Sequence, residues 1–177
     1  ANKFTFIKQI NQDFFATWSP KMAYVLGWFI TDGSFSSIPH CKSYAVSLRI
    51  IDKEMLERIK RWIGSMHKLS LAKKQKIYIW GFCNYKITED LKRIGILPKK
   101  TLRLKFPQIP EEYLRDFIRG IFDGDGSVFL SKAARKQKIC STFCASSKEF
   151  LEEIKNALVK FAGMGNSNIY KDKWREF

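Results

Sequence analysis

The chain has 177 residues, of which 45% are hydrophobic and 15% aromatic, and this suffices for one compact domain or two small fused halves. Its formal net charge of +15 predicts a polyanionic partner such as nucleic acid. A membrane surface is the alternative partner, but the sequence shows no long apolar span and no basic amphipathic helix. We therefore expect no membrane association.

The cysteines give no sign of a metal site. They form no CxxC pair and have no histidine spacing suited to zinc; they are Cys41, Cys83, Cys140 and Cys144. We interpret them as small buried or half-buried residues of an intracellular protein. No secretory signal or transit peptide is visible, so we expect the cytoplasm, the nucleoid or an organelle as the location.

The first 95 residues predict an α+β unit with an antiparallel sheet and the element order αββαββα, preceded by an aromatic arm over residues 1–19. Ser19-Pro20 starts the first helix, because proline is favoured at the first helical position. Asp52 is a good N-terminal cap for the second helix, and the third spans 85–94. Alternating or apolar runs between breakers predict four strands, at 34–38, 43–51, 67–72 and 76–82.

A basic linker, residues 96–112, joins this unit to the rest of the chain. Its three prolines predict an extended segment rather than a helix. The segment carries Lys99, Lys100 and Arg103, and a plain solvated linker is the alternative to a functional role for them.

Residues 113–177 predict a second, shorter unit. Strands are expected at 127–130 and 137–145, and Ser146-x-x-Glu149 predicts a capping box for a helix that runs to about Phe161. A further strand is expected to begin at Asn168. Only 51 residues follow Gly126, so we expect the second unit to lack the last strand and final helix of the first. We expect a monomer if the C-terminus is complete, and association through the open sheet edge if it is not.

The two units open with the same motif. Residues 25–35 read VLGWFITDGSF and residues 118–128 read IRGIFDGDGSV, so that Gly27 aligns with Gly120 and Asp32 with Asp125, each pair 93 residues apart. Gly33 and Gly126, which follow the acids, are expected to be left-handed helix caps.

Glycines inside both motif helices predict a close helix pair. Gly120 and Gly124 lie on one helix face, and Gly27 and Thr31 hold the matching positions of the first copy. Each glycine costs roughly 1 kcal/mol relative to alanine in a helix interior. A tolerated glycine on a surface helix is the alternative. Two aligned copies favour a seam in which the helix axes approach closely about a pseudo-two-fold axis.

That seam brings Asp32 and Asp125 together at two helix C-termini. The helix dipole is negative there and the two carboxylates repel each other. A divalent cation would relieve both effects, and Mg²⁺ prefers one or two carboxylates with waters and phosphate oxygens. We include Thr31 and Gly124, the residues before the acids, in the predicted metal site.

The paired stretches resemble the motifs of the LAGLIDADG homing endonucleases, in the single-chain form that carries two copies. The nine motif positions correspond to 25–33 and 118–126, and the family's metal-binding acids map onto Asp32 and Asp125. The sixth motif position is Ile30 in one copy and Asp123 in the other; it is not a metal ligand in the family, so we expect Asp123 to face solvent or to cap.

The resemblance implies two pseudo-symmetric αββαββα half-domains, the second truncated, whose sheets form a DNA-binding saddle. It further implies a site-specific endonuclease that makes a double-strand break with short 3′ overhangs at a long recognition site, and the homing of an intron, an intein or a free-standing mobile element. Two or more Mg²⁺ ions are expected, with Mn²⁺ tolerated and Ca²⁺ non-productive.

The same resemblance implies a catalytic role for Lys100. The intein-type branch of the family often carries a Lys-Ser or Lys-Thr pair in the linker, and Lys100-Thr101 matches that pair. The resemblance implies that Lys100 polarises water or steadies phosphate charge at the active site, with Lys99 as the reserve.

Basic residues in or beside the predicted strands would line the saddle. They are Arg49, Lys68, Lys76, Lys136 and Lys138, joined by Lys99 and Arg103 of the linker. A scattered solvated surface is the alternative for any one of them. As a set they predict phosphate contacts, while strands read base edges in a major groove.

Two other functions fit the same fold. An RNA-splicing maturase is one, and a DNA-binding regulator that has lost cleavage is the other. Both acids are present, which argues against the regulator. A splicing assay with the host intron would separate a maturase from an endonuclease.

Overall fold

A computed structural model describes residues 9–37, 44–96, 105–131, 137–165 and 167–171. In that part of the chain five helices and six strands follow one another in the order predicted from the sequence. The elements are α1 (Pro20–Thr31), β1 (Gly33–Ser37), β2 (Tyr44–Ile50), α2 (Lys53–Trp62), β3 (Ser70–Ala72), β4 (Ile77–Cys83), α3 (Tyr85–Ile94), α4 (Glu111–Asp125), β5 (Gly126–Ser131), β6 (Lys138–Phe143) and α5 (Lys148–Ala162).

The first half is the predicted αββαββα unit, and its four strands form one antiparallel sheet in the order β1-β2-β4-β3. Val46, Leu48 and Ile50 of β2 are buried, since alternate residues of a strand share a face. Leu48 lies opposite Trp80 of β4, whose side chain is also buried. The core of this half therefore lies between one face of the sheet and the helices.

Local capping chemistry sets the helix ends. Asp52 accepts a hydrogen bond from the Met55 amide at 2.9 Å, as predicted, and Gly95 ends α3 in a left-handed conformation. The α5 cap differs from the prediction by one residue. Ser147, rather than Ser146, accepts from the Phe150 amide at 3.2 Å, because the helix begins one residue later.

The prediction of left-handed caps at Gly33 and Gly126 is wrong. Gly126 is extended, with φ −83° and ψ 160°, and the positive-φ glycines of the described residues are Gly64, Gly95 and Gly163. A Cβ at Gly33 would overlap the Phe29 backbone, and one at Gly126 would overlap the Phe122 ring. These two positions need glycine for space, because each strand folds back at once over the last turn of its helix.

The two motif helices, α1 and α4, pack backbone to backbone. A Cβ on Gly27 would lie 2.7 Å from the Gly120 carbonyl carbon, and one on Gly120 would overlap the Tyr24 carbonyl oxygen. Farther along, a Cβ on Gly124 would overlap the Thr31 hydroxyl. We call this contact between α1 and α4 the seam; it joins the two halves as the sequence predicts.

The second half has a two-stranded sheet over the described residues, β5 paired with β6. Phe106, Phe117 and Phe150 form an aromatic cluster in the same half. Its strands begin and end within two residues of the predicted bounds. The strand predicted from Asn168 is not formed over the described residues 167–171. In the described part of the chain, no helix is both long and apolar enough to span a membrane.

Candidate functional site

Both motif acids lie at the C-terminal ends of the seam helices. Asp32 caps α1, and its amide donates to the Trp28 carbonyl at 3.0 Å; Asp125 is the last residue of α4. The residues just before them, Thr31 and Gly124, are in direct contact across the seam. Asp32 is half-buried and Asp125 exposed, so the structure brings the two acids to one end of the seam with access to solvent.

The charge at this end of the seam differs from that at the other helix ends. The last turns of α2, α3 and α5 carry basic residues, which offset the negative end of the helix dipole: Lys60 and Arg61, Lys92 and Arg93, and Lys160. The last turns of α1 and α4 carry none. In a chain of net charge +15, carboxylates therefore occupy the two helix ends that lack a cation of their own helix.

The donor set at the seam fits a hard divalent cation. Asp32 and Asp125 supply two carboxylates, and helix C-termini present carbonyl oxygens that lack a partner within the helix. No group of three or more His, Cys, Asp or Glu residues that could hold a metal occurs among the described residues. Two carboxylates with room for water and phosphate oxygens suit Mg²⁺ or Mn²⁺ better than zinc, which prefers enclosed nitrogen and sulfur ligands.

Thr31 and Gly124 have different parts in this site. The Thr31 hydroxyl lies 2.9 Å from Asp32 Oδ2 and 3.2 Å from the Trp28 carbonyl oxygen, and the carboxylate is the nearer acceptor for its one proton. Gly124 has no side chain, so its backbone carbonyl is the group it can offer to a metal. Its lack of a Cβ is what allows Thr31 to lie against α4.

Asp123 does more than face solvent. It is exposed, as predicted, but its Oδ2 also accepts a hydrogen bond of 2.6 Å from Tyr24 Oη of the opposite helix. Burial of the Tyr24 hydroxyl, together with this hydrogen bond to a carboxylate, raises the pKa of Tyr24 to about 12. The hydroxyl therefore remains a donor at neutral pH.

Two of the predicted basic residues lie on strands, and both are exposed. Arg49 of β2 alternates with the buried residues of that strand and faces away from the helices. In the second sheet, Phe143 contacts Phe122 of α4 at 5.0 Å between ring centroids, so Lys138, at an odd spacing from Phe143, also faces outward. Each sheet therefore presents one strand-borne cation on its outward face.

Two further basic candidates among the described residues, Lys68 and Lys76, do not lie on strands. Lys68 is exposed and precedes β3, which begins at Ser70 rather than at the predicted 67. Lys76 is exposed in the turn before β4 with a positive φ of 53°. Residues 97–104 and 132–136 lie outside the described residues, and with them Lys99, Lys100, Arg103 and Lys136.

Hydroxyl groups on the outward faces were not singled out from the sequence. Ser34 pairs with Ser47 across β1 and β2, on the face that carries Arg49. In the second sheet the Ser127 and Thr142 hydroxyls are 2.7 Å apart on the face that carries Lys138. Such groups donate and accept hydrogen bonds, and the serine alternation in GSFSS (33–37) was the available signal.

The described cysteines form no disulfide, and two of them are more exposed than predicted. Cys83 and Cys144 are exposed and Cys140 is intermediate. Cys41 lies outside the described residues.

Comparison with known families finds one match, a LAGLIDADG-like domain over residues 112–176. That range begins at the start of α4 and contains the second motif. None of the curated proteins matches this chain at a significant level.

Solved structures with a similar fold include LAGLIDADG endonucleases. I-DmoI in complex with DNA and Mn is 16% identical, with a TM-score of 0.54 over 87% of this chain and 84% of that one. The LAGLIDADG meganuclease I-CpaMI bound to uncleaved DNA is 12% identical, with a TM-score of 0.54 over 89% and 77%. The I-LtrWI LAGLIDADG homing endonuclease bound to target DNA is 11% identical, with a TM-score of 0.51 over 88% and 74%.

Proposed function

We propose that this chain, which contains a LAGLIDADG-like domain and has the fold of the LAGLIDADG homing endonucleases, is a metal-dependent, site-specific DNA endonuclease. The observation that carries the proposal is the pair of acids at the seam. Asp32 and Asp125 lie at two helix ends whose last turns lack basic residues, in a chain that is otherwise strongly basic.

The residues at the seam have separate tasks in this proposal. Asp32 and Asp125 hold the divalent ions, and the Thr31 hydroxyl keeps the Asp32 carboxylate oriented. A bound divalent ion supplies a Lewis acid for the scissile phosphate and lowers the pKa of a bound water. Gly27, Gly120 and Gly124 keep the two helices close enough for the acids to act on both strands of one duplex. Lys100 is proposed to assist by polarising water.

DNA binding is assigned to the outward faces of the two sheets. Arg49 and Lys138 are exposed there and suit phosphate contacts, which are independent of sequence. The hydroxyls of Ser34, Ser47, Ser127 and Thr142 suit hydrogen bonds to base edges. The DNA complexes of I-DmoI, I-CpaMI and I-LtrWI support this assignment through their common fold.

Selection from a randomised duplex library tests the proposal without knowledge of the target. The parent protein is expected to enrich a cleaved sequence in Mg²⁺ and none in EDTA. Asp32→Asn and Asp125→Asn each remove a ligand charge and should lower cleavage at least about a hundredfold while binding persists. Asp13→Asn is the matched control, because Asp13 pairs with Lys86 away from the seam.

Two results would contradict the endonuclease. One is a parent protein that binds duplex DNA but enriches no cleaved sequence in Mg²⁺ or Mn²⁺; this result favours a binding protein. The other is cleavage by Asp32→Asn and Asp125→Asn at the parent rate, which would remove the acids from the mechanism.

A further inference from the structure

The two copies of the motif differ at several positions, and three of these differences change the hydrogen bonds that the side chains can form. Positions 93 residues apart pair Tyr24 with Phe117, Ile30 with Asp123, and Thr31 with Gly124. In each pair one copy has a polar side chain, and the residue in the other copy cannot form the same hydrogen bond. The surroundings of Asp32 and Asp125 are therefore chemically different, although the backbones repeat.

Asp32 is oriented from within its own helix by Thr31 Oγ1, at 2.9 Å. The residue before Asp125 is Gly124, which has no hydroxyl and cannot do the same. Threonine there is excluded by packing, since even a Cβ at Gly124 would overlap Thr31. A residue other than the one before Asp125 must therefore orient the C-terminal end of α4.

Tyr24 makes a bond to that end of α4 from across the seam. Its Oη lies 2.6 Å from Oδ2 of Asp123, which is two residues before Asp125 in the same helical turn. The ring itself is held in place, with only 3% of Tyr24 exposed. The Arg119 guanidinium lies 4.6 Å from the ring centroid on one side, and Trp62 packs edge-on with its centroid at 5.8 Å.

The matching pair in the other copy is apolar. Phe117 has no hydroxyl, Ile30 has no acceptor, and both side chains are buried, with 0% and 5% exposed. The end of α1 is thus held by packing and by Thr31, while the end of α4, where Asp123 is exposed, has a hydrogen bond to the neighbouring helix.

We propose that Tyr24 is a positioning residue for Asp125, acting through its hydrogen bond to Asp123 to hold the last turn of α4 against α1. The proposal rests on the proposed function, because Asp125 is a metal ligand only there. Burial and the Asp123 carboxylate raise the pKa of Tyr24 to about 12, so the hydroxyl keeps its donor proton even in mildly alkaline solution. Asp123 takes no part in binding the metal and serves as the acceptor.

Tyr24→Phe removes the hydroxyl and keeps the ring. Amide hydrogen exchange over residues 122–126 is expected to rise about tenfold, as for the loss of a hydrogen bond to a charged group, with no change over 29–32. Mn²⁺ binding by the protein, followed by the electron paramagnetic resonance signal of free Mn²⁺, should weaken about tenfold, the lower end of the range for groups that orient a metal ligand. Tyr113→Phe, which removes a hydroxyl at the opposite end of α4, is the control.

Substitutions of the acceptor separate positioning from general stability. Asp123→Ala should match Tyr24→Phe, and the double variant should be no worse than either, since both remove one bond. Asp123→Asn keeps an oxygen acceptor and should restore most of the Mn²⁺ affinity. A merely structural bond would lower the melting temperature while the Mn²⁺ affinity of the folded variants stayed the same.

The outcomes also separate this proposal from the proposed function. If the parent binds Mn²⁺ and cleaves DNA but Tyr24→Phe binds Mn²⁺ as tightly as the parent, positioning is overturned and the endonuclease stands. If Tyr24→Phe loosens residues 29–32 as much as 122–126, positioning of Asp125 is likewise overturned. A parent that neither binds Mn²⁺ nor cleaves overturns the proposed function and this inference with it.

Discussion

The two sheets of the molecule start from equivalent places and then differ in what surrounds them. Each begins directly after a motif acid, with β1 after Asp32 and β5 after Asp125. In the first sheet, β2 lies between β1 and β4, and its helix-facing residues are buried. In the second, described as β5 and β6, the apolar side chains are largely exposed: Val128 is 62%, Leu130 58% and Ile139 78% exposed.

The burial of an apolar strand residue therefore depends on whether a helix packs over it, and the alternating sequence pattern of the strand does not decide it. Leu130 and Ile139 pair across β5 and β6, as Leu48 and Trp80 pair across β2 and β4. The first pair lies open, whereas the second is covered by the helices of its half, α2 and α3, with Leu56, Ile59, Ile87 and Leu91 buried. The seam, in contrast, is closely packed from both sides.

The largest expected effect on stability comes from replacing a leucine of the first sheet, and the same change in the second sheet is its comparison. Leu48→Ala leaves a cavity in a fully buried site and should cost about 2–5 kcal/mol of unfolding free energy. Leu130→Ala removes a mostly exposed side chain and should cost about 0.5 kcal/mol or less. Chemical denaturation of both variants measures the contrast. Equal losses would mean that the second sheet is covered in solution.

Adding a single methyl group at the seam should lower the free energy of unfolding. Gly120→Ala places a methyl group against the Tyr24 carbonyl, a backbone atom that cannot rotate away, so we expect a loss of about 3 kcal/mol. Gly165→Ala is the control, because a Cβ there meets nothing within 4 Å. Thermal unfolding of the pair is the measurement. If both melt at the parent temperature, the helices are not in backbone contact.

An alkaline titration sharpens the comparison between Tyr24 and its counterpart Phe117, which cannot ionise. The pKa of Tyr24 is raised in the folded state, so the stability that it contributes is full below pH 10 and falls as pH rises toward 12. The loss should be about 2 kcal/mol. Tyr24→Phe should lack this component, seen as a smaller change in unfolding free energy between pH 9 and pH 11. Parallel curves for parent and variant would contradict the raised pKa.

The smallest expected effects are changes in DNA affinity when basic residues on the outward faces are replaced. These variants test whether both sheets contact DNA. Arg49→Ala and Lys138→Ala should each weaken binding of random duplex and flatten the plot of log affinity against log salt by about one unit. Lys155→Ala, on α5, should leave the slope unchanged. A change for Arg49 with none for Lys138 would restrict binding to the first half.

Much of the fold could be predicted from the sequence because it follows from local chemistry. The repeat located α1 and α4, and the glycines that distinguish their facing sides predicted the seam. Asp52 and Gly95 marked helix ends through hydrogen bonds within a few residues, so their signals are local. The two acids could be located for the same reason, since each lies at the C-terminal end of a helix that the local sequence predicts.

Other features depend on how the chain folds back on itself, which the local pattern does not show. The Tyr24–Asp123 bond joins positions 99 apart, and no local pattern identifies Asp123 as its acceptor. Gly33 and Gly126 looked like left-handed caps, but the space left by Phe29 and Phe122 is what requires glycine. The sequence alone predicted the helices, six of the strands and the place of the two acids at the helix ends. Tertiary packing decided which residue of the opposite helix meets Asp123 and which strand faces are covered, because side chains meet there that are far apart along the chain.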